Sequence, residues 1–404
     1  MLANFRLCAP PEFRGPTLLD DLGLPRYWAF VWASFLPADL APSTVGKKLS
    51  HLENFYRHAD ELLAPSRLDD ALAEVDVGAL SNALEGYFLA LRNRTSITPA
   101  CEERWQIALR FVLDIAQRLT RNHLQPPDLN ELNARFMRLE LLHANLHLGR
   151  RRRPEQVRSL PSEVLEFLYE LLDPESRNNP FRGVTSRWRA YVLFILMLHQ
   201  GLRRGELLAL PTDVIKNHFD RALQQDRFWM TVKYNEYDDD PRYSRARIKN
   251  ATSIRQLPVS KTIALIVQEY VENYRGRVGH SFLISSQKNA PLSSEAVNKT
   301  FRKLTTSLPK SLRRILHDHT GEDSITPHTL RHTCAVVRLN QLLSEGVAME
   351  DALQRIRVFF GWSRESDMPL RYARAVFEDR LASVWRSGFD DHISFVRALP
   401  VRNI

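Results

Sequence analysis

Four consecutive arginines followed by a proline, in "LGRRRRPEQVRSLP" (residues 148–161), set the first limit on what this chain can fold into. Four adjacent guanidiniums are not desolvated together in a core, and proline inside a helix removes a backbone donor and clashes with the preceding turn. The stretch therefore divides the chain. Residues 1–149, 150–160 and 161–404 are expected to be an amino-terminal domain, a basic linker and a carboxy-terminal domain. With 404 residues, each side has enough chain for its own core. Such a run is ordinarily a solvated linker, but Arg150, Arg151, Arg152 and Arg153 also suit a linker that tracks a phosphate backbone.

The two sides carry different patterns. In "STVGKKLSHLENFYRHADELL" (43–63), Val45, Leu49, Leu52, Phe55, Tyr56, Ala59 and Leu63 recur at helical spacing, with Ser43 as an N-cap. Lys47, Lys48, His51, Arg57 and His58 fall largely off that stripe. Residues 79–94 and 100–119 repeat the pattern, so this half reads as a bundle of roughly four helices. After the linker, 162–172 and 187–201 read as buried helices, the second stopped by Gly201. Residues 227–234 and 253–259 are aromatic, β-branched and short, which predicts strands. The polar stretch "NEYDDDPRYSRARIKNAT" between them is a long hairpin-like excursion, and helices resume at 261–274 and 293–304. The expected fold is mainly α with a small β-sheet: a helical domain, then an α+β domain.

Lys and Arg exceed Asp and Glu by 56 to 47, a net charge of +9 that suits a polyanionic partner without demanding one. Cys8, Cys101 and Cys334 are far apart and form neither a disulfide framework nor a zinc motif. No basic-then-apolar leader opens the sequence, and the longest apolar run, "YVLFILML" (191–198), is too short to span a bilayer. A soluble cytoplasmic protein with no membrane association is expected.

Four segments of the second half carry residues that a plain core would not. "GLRRGELLALP" (201–211) puts Arg203 after a helix stop, with Glu206 three residues on and on the same face. Lys249 sits where the polar excursion turns back into a strand, and Lys233 in "MTVKYNEY" is the other lysine of that region. "TPHTLRHTCAV" (326–336) opens a helix at Pro327 and places His328 and Arg331 on one face as an oxyanion cradle, with His332 next in the chain. "FFGWSRESDMPLRYARAVF" (359–377) breaks at Gly361-Trp362 and carries Tyr372 ten residues beyond the tryptophan. Taken singly, each has an ordinary reading: an exposed arginine with its acid, a solvated lysine, a core histidine, a packed tyrosine. "LHDHTGED" (316–323) reads as a loop whose His317, Asp318 and His319 lack a complementary metal-ligand set.

In their order and spacing these segments resemble the boxes of the tyrosine recombinase (phage integrase) family over about residues 155–385. Arg203 with Glu206, Lys249, His328-Thr329-Leu330-Arg331-His332, Gly361-Trp362 and Tyr372 match the family's successive motifs, with tryptophan where histidine is commoner. Lys249 is preferred to Lys233 because "K-x-x-x-S-x-R-x-L-P" resembles the family's hairpin. By organisation alone, the first half is similar to the family's SAM-like core-binding domain.

The resemblance implies a site-specific recombinase in which Tyr372 attacks the scissile phosphate and forms a 3′-phosphotyrosyl bond. Arg203 and Arg331 would hold the non-bridging oxygens, Lys249 would protonate the leaving 5′-oxygen, and His328 would handle the tyrosine's proton or a phosphate oxygen. Trp362 would donate its one N–H to the phosphate, with His332 and Glu206 in support. No metal or other cofactor is required, because the phosphotyrosine conserves the energy of the broken bond. The implied partner is double-stranded DNA carrying specific recombination sites, bound by a homotetramer on two paired sites, with an accessory protein left open. Asn298, Lys299, Arg302 and Lys303 would face DNA from a helix whose Val297, Phe301 and Leu304 face the core, though a solvated basic face reads almost as well. Lys47 and Lys48 would contact DNA from the amino-terminal half, closing a clamp. The tail (377–399), with Leu381, Val384 and Trp385 near helical spacing, would dock on a neighbouring protomer. Two rivals share much of this pattern: a type IB topoisomerase-like relaxing enzyme and a non-cleaving DNA-binding relative.

Overall fold

The computed structural model describes residues 2–4, 16–38, 40, 42–64, 67–122, 126–148, 159–222, 224–242, 245–248 and 251–384. The chain divides into two compact units, Met1–Pro154 and Glu155–Ile404.

Among the described residues of the first unit a short antiparallel pair, β1 (Leu2–Asn4) and β2 (Pro16–Leu18), precedes six helices. These are α1 (Tyr27–Ser34), α2 (Pro42–Leu63), α3 (Arg67–Glu74), α4 (Val77–Arg92), α5 (Pro99–Asn122) and α6 (Pro126–His143). The sequence reading found α2, α4 and α5 and missed the strand pair. The stripe of α2 is buried as its spacing demands, with Leu49, Leu52, Phe55, Tyr56 and Ala59 packed around Trp32, Trp105 and Phe111. Two polar groups entering this core are paired: the Tyr56 hydroxyl donates to Asp69 at 2.6 Å, and the Trp32 indole N–H to Asp114 at 2.9 Å. Asp76 caps α4 by accepting from the backbone N–H groups of Gly78 and Ala79, an arrangement worth about 1 kcal/mol. Ser43 lies inside the first turn of α2 rather than before it, because Pro42 already suits the helix start.

In the second unit α7 (Ser162–Leu172), α8 (Val184–His199) and α9 (Arg204–Ala209) lead into a sheet. Its strands β3 (Ile215–Asp220), β4 (Gln225–Val232) and β5 (Arg255–Val259) are antiparallel in sequence order. Met230 pairs with Ile215 on one side and Leu257 on the other, fixing the register that keeps Met230 and Leu257 fully buried. Then follow α10 (Lys261–Glu269), closed by a π-helical turn at Tyr270–Tyr274, and α11 (Ser294–Ser307), α12 (Lys310–Thr320), α13 (Pro327–Ser344), α14 (Met349–Phe360) and α15 (Met368–Val384). Helix α8 is apolar nearly all round, and Val192–Leu198 are buried. Residues 316–320, expected as a loop, lie in the last turns of α12, because Leu312, Ile315 and Leu316 supply a helical stripe that the flanking histidines disguise. A second, smaller core joins α13, α14 and α15 through Cys334, Leu339, Ile356, Phe360, Trp362, Tyr372 and Val376.

Candidate active site

The site begins where α8 stops. Gly201 has φ +57°, and a Cβ there would lie 2.3 Å from the Phe360 ring, so glycine is required for both backbone and space. Two residues on, Arg203 is the N-cap of α9. Its backbone N–H donates to Glu206 Oε2 at 2.9 Å and its guanidinium to Oε1 at 2.6 Å. The guanidinium also donates to Ser253 Oγ at 2.9 Å, reaching the residues just before β5.

Glu206 is completely buried and faces three arginines: Arg203, Arg255 at 3.1 Å and Arg331 at 3.8 Å. Burial alone would raise its pKa, but Arg255, Arg331 and Arg203 together hold it below the ordinary carboxylate value. Arg255, a residue to which the sequence reading gave no role, also donates to the Phe359 carbonyl at 2.6 Å and the Ser253 carbonyl at 2.7 Å. It therefore ties α9, the start of β5 and the end of α14 to one carboxylate.

Helix α13 is opened by a reciprocal Thr326–Thr329 cap with Pro327 in its first turn, as the sequence indicated. The faces of its polar residues differ from the expectation. Arg331 is turned inward and only 2% exposed, while His328 is exposed and the half-buried His332 packs against it with rings 4.1 Å apart. The physical reason is a pair of acceptors: Arg331 donates to the carbonyls of Gly201 and Phe360, which lie at the carboxy-terminal ends of α8 and α14. Helix ends leave carbonyls unpaired and carry negative potential, so a buried guanidinium is well placed there. Burial first, then Arg203, pull the Arg331 pKa down to about 9, so it stays charged at neutral pH.

Gly361 ends α14 with φ +59°, and a Cβ on it would lie 2.8 Å from the Thr252 carbonyl. The rings of Phe360, Trp362 and Tyr372 then stack in sequence at 4.9 and 5.2 Å, with the Arg331 guanidinium 4.8 Å from the Phe360 ring centre. Tyr372 is 1% exposed, and its hydroxyl lies 2.5 Å from His332 Nδ1. Burial raises the phenol pKa well above its usual 10, against the opposing pull of Arg331 and Arg203. His332 is driven down to about 3, by burial first and then by His328, Arg331 and Arg371. The imidazole is therefore neutral, and in its Nε2–H tautomer the phenol donates to Nδ1.

Of the sequence-predicted residues, the structure gathers Arg203, Glu206, Arg331, His332, Trp362 and Tyr372, with His328 on the exposed side of His332. Lys249 lies outside the described residues, as do Arg150, Arg151, Arg152 and Arg153. Lys233 is half-exposed and paired with Glu236 at 2.5 Å. The polar excursion is pinned to its surroundings. Arg242 bonds Asp240 and donates to the carbonyls of Leu208 and Leu292, and the Arg247 carbonyl packs against Gly205 of α9. On α11, Val297, Phe301 and Leu304 are buried, while Lys299, Arg302 and Lys303 are exposed and Asn298 accepts from Arg204 at 2.7 Å. In the first unit, Lys47 is paired with Glu103 at 2.7 Å, and Lys48 lies 5.9 Å from the Trp32 ring centre. His317 bonds Asp323 at 2.8 Å, and among the described residues no group of three or more His, Cys, Asp and Glu side chains has metal-holding geometry.

A model of the phage integrase family matches residues 162–378, more than half of the chain. Among solved structures, a crystal structure of XerA recombinase is similar at 16% identity, covering 82% of this chain and 98% of that one, with a TM-score of 0.35. A post-cleavage complex of XerH site-specific recombinase bound to palindromic difH substrate is similar at 14% identity, covering 85% and 80%, with a TM-score of 0.48. No curated protein matches the chain.

Proposed function

The chain belongs to the phage integrase family of tyrosine-type site-specific DNA recombinases, and on that premise we propose that Tyr372 is the nucleophile of its strand cleavage. The observation that carries this reading is the convergence of Arg203, Arg331 and Tyr372, from three distant stretches of chain, around one buried carboxylate and one ring stack.

The phenol oxygen attacks phosphorus, forming a 3′-phosphotyrosyl bond as the bond to the 5′-oxygen breaks. Arg203 and Arg331 hold the non-bridging oxygens, where negative charge accumulates. Arg331 already spends donors on two carbonyls, which fixes the plane of its fork before phosphate arrives. Lys249 gives its proton to the leaving oxygen, Trp362 donates its N–H to a phosphate oxygen, and His328 serves a phosphate oxygen or the tyrosine's proton. Glu206 holds the arginines apart and oriented. Tyr372 is sheathed in the ring stack, with its hydroxyl held at His332. Lys299, Arg302 and Lys303 of α11, together with Lys47, Lys48 and the linker arginines, supply the DNA contacts. A homotetramer on two paired sites, held by docking of the tail on a neighbouring protomer, performs the exchange.

Covalent trapping tests the reading. Wild type and Tyr372→Phe are incubated in EDTA with labelled, nicked duplexes from DNA flanking the gene, and the products are run on a denaturing gel. An adduct from wild type alone is expected. An adduct surviving in Tyr372→Phe would mean another nucleophile, and binding with no adduct from either would favour a non-cleaving relative. Relaxation of a plasmid lacking any recombination site would favour a topoisomerase-like enzyme. In the same assay, truncation after Arg380 is expected to abolish pairing of sites, and intact pairing would remove the tail-docking proposal.

A further inference from the structure

We propose that His332, rather than His328, takes the phenolic proton of Tyr372 during cleavage, leaving His328 to a phosphate oxygen. The inference rests on the reading of Tyr372 as nucleophile and adds a catalytic residue to it. A general base must stand within hydrogen-bond reach of the proton it removes. His332 Nδ1 is 2.5 Å from the Tyr372 hydroxyl, and the two rings are 5.6 Å apart. His328 is one turn back on α13, exposed, and meets the His332 ring edge to face. The i, i+4 spacing puts both histidines on one face, and Tyr372, arriving from α15, meets the second.

The charges around His332 explain why the proton stays on tyrosine in the free protein. His328 and Arg331 from α13, and Arg371 and Tyr372 from α15, are the titratable groups that act on it or bond to it, and the cations together with burial keep the imidazole neutral. In its Nε2–H tautomer it presents a lone pair to the phenol but gains nothing by accepting the proton. A phosphodiester entering between Arg203 and Arg331 brings negative charge that grows in the transition state, and this favours an imidazolium beside it. In the balanced step the phenol O–H breaks and its proton goes to His332 Nδ1. The phenol oxygen bonds to phosphorus, and the 5′-oxygen leaves with a proton from Lys249. Rejoining runs every transfer backwards.

The test uses full-length protein and the nicked duplex that yields the covalent adduct, following single-turnover adduct formation alongside duplex binding. Asparagine at 332 reaches the Nδ1 position and can still hold the hydroxyl, yet cannot carry a proton at neutral pH. His332→Asn is expected to bind duplex as wild type does and to form adduct about 100-fold more slowly or worse. Added imidazole is expected to accelerate His332→Ala and not His328→Ala. Adduct formation by His332→Asn at nearly the wild-type rate, or imidazole rescue of His328→Ala instead, would overturn the proposal. An adduct persisting in Tyr372→Phe removes the nucleophile assignment, and this inference with it, so the two failures are told apart.

Discussion

Glu206 decides the charge balance of the candidate active site. Three guanidiniums around one fully buried carboxylate are tolerable only while that carboxylate is ionised. Glu206→Gln keeps the shape but leaves Arg255 and Arg331 as buried charges without a counter-ion. Urea unfolding is expected to show a loss of about 3 kcal/mol, since removing one member of a buried pair strands the other. The pH dependence has a definite sign. The folded pKa of Glu206 lies below its usual 4.5, so the unfolded chain binds the extra proton first. The stabilisation is complete above 4.5 and is lost as pH falls from there toward the folded value, a slope that Glu206→Gln should lack. An unchanged acid slope in the variant would contradict this account. Legibility differs sharply at this scale. The Arg203–Glu206 pair was readable because three residues on a helix start put the two side chains together. The inward turn of Arg331 was not, because its acceptors are carbonyls 130 residues before it and 29 after it in the chain. Arg255 stood in the string that matched the family hairpin, yet only the fold brings Glu206 and Phe359 to it.

Between elements, the polar excursion approaches α9 closely. Gly205 occupies a helical position, where alanine would ordinarily be preferred by about 1 kcal/mol. A Cβ there, however, would sit 2.3 Å from the Arg247 carbonyl oxygen, which is backbone and cannot rotate away. The clash outweighs the propensity, so Gly205→Ala is expected to lower the melting temperature. Because the excursion continues toward Lys249, the same change is expected to slow adduct formation by about 100-fold, the usual cost of displacing a catalytic group by roughly 1 Å. A variant with a raised melting temperature and normal cleavage would show that the excursion yields freely. Elements with strong periodicity, such as α2, α7 and α11, were legible in the sequence. Strand β3, "IKNHFD", was not, since only Ile215 and Phe219 are apolar and its four central residues are exposed. Its pairing comes from β4, not from a hydrophobic face of its own.

Across the whole molecule, the two units meet in sequence at the arginine run, and the excess of Lys and Arg gives the chain its net charge of +9. If Arg150, Arg151, Arg152 and Arg153 lie along a phosphate backbone, neutralising each phosphate releases about 0.9 counterions, and binding inherits that salt dependence. Replacing all four by serine is then expected to weaken duplex binding and to flatten the plot of log affinity against log salt by about 0.9 for every phosphate left unneutralised. Cleavage at saturating protein should be unchanged, because none of the four belongs to the constellation around Glu206 and Tyr372. That combination separates a DNA-tracking linker from a merely solvated one. The solvated linker predicts the same slope in both proteins, offset only by the weak long-range attraction of four distant charges, which 0.15 M salt screens beyond about 8 Å. Measuring affinity for one duplex at four or five salt concentrations decides between them. A slope unchanged within error would assign the arginines to spacing the units rather than to holding DNA.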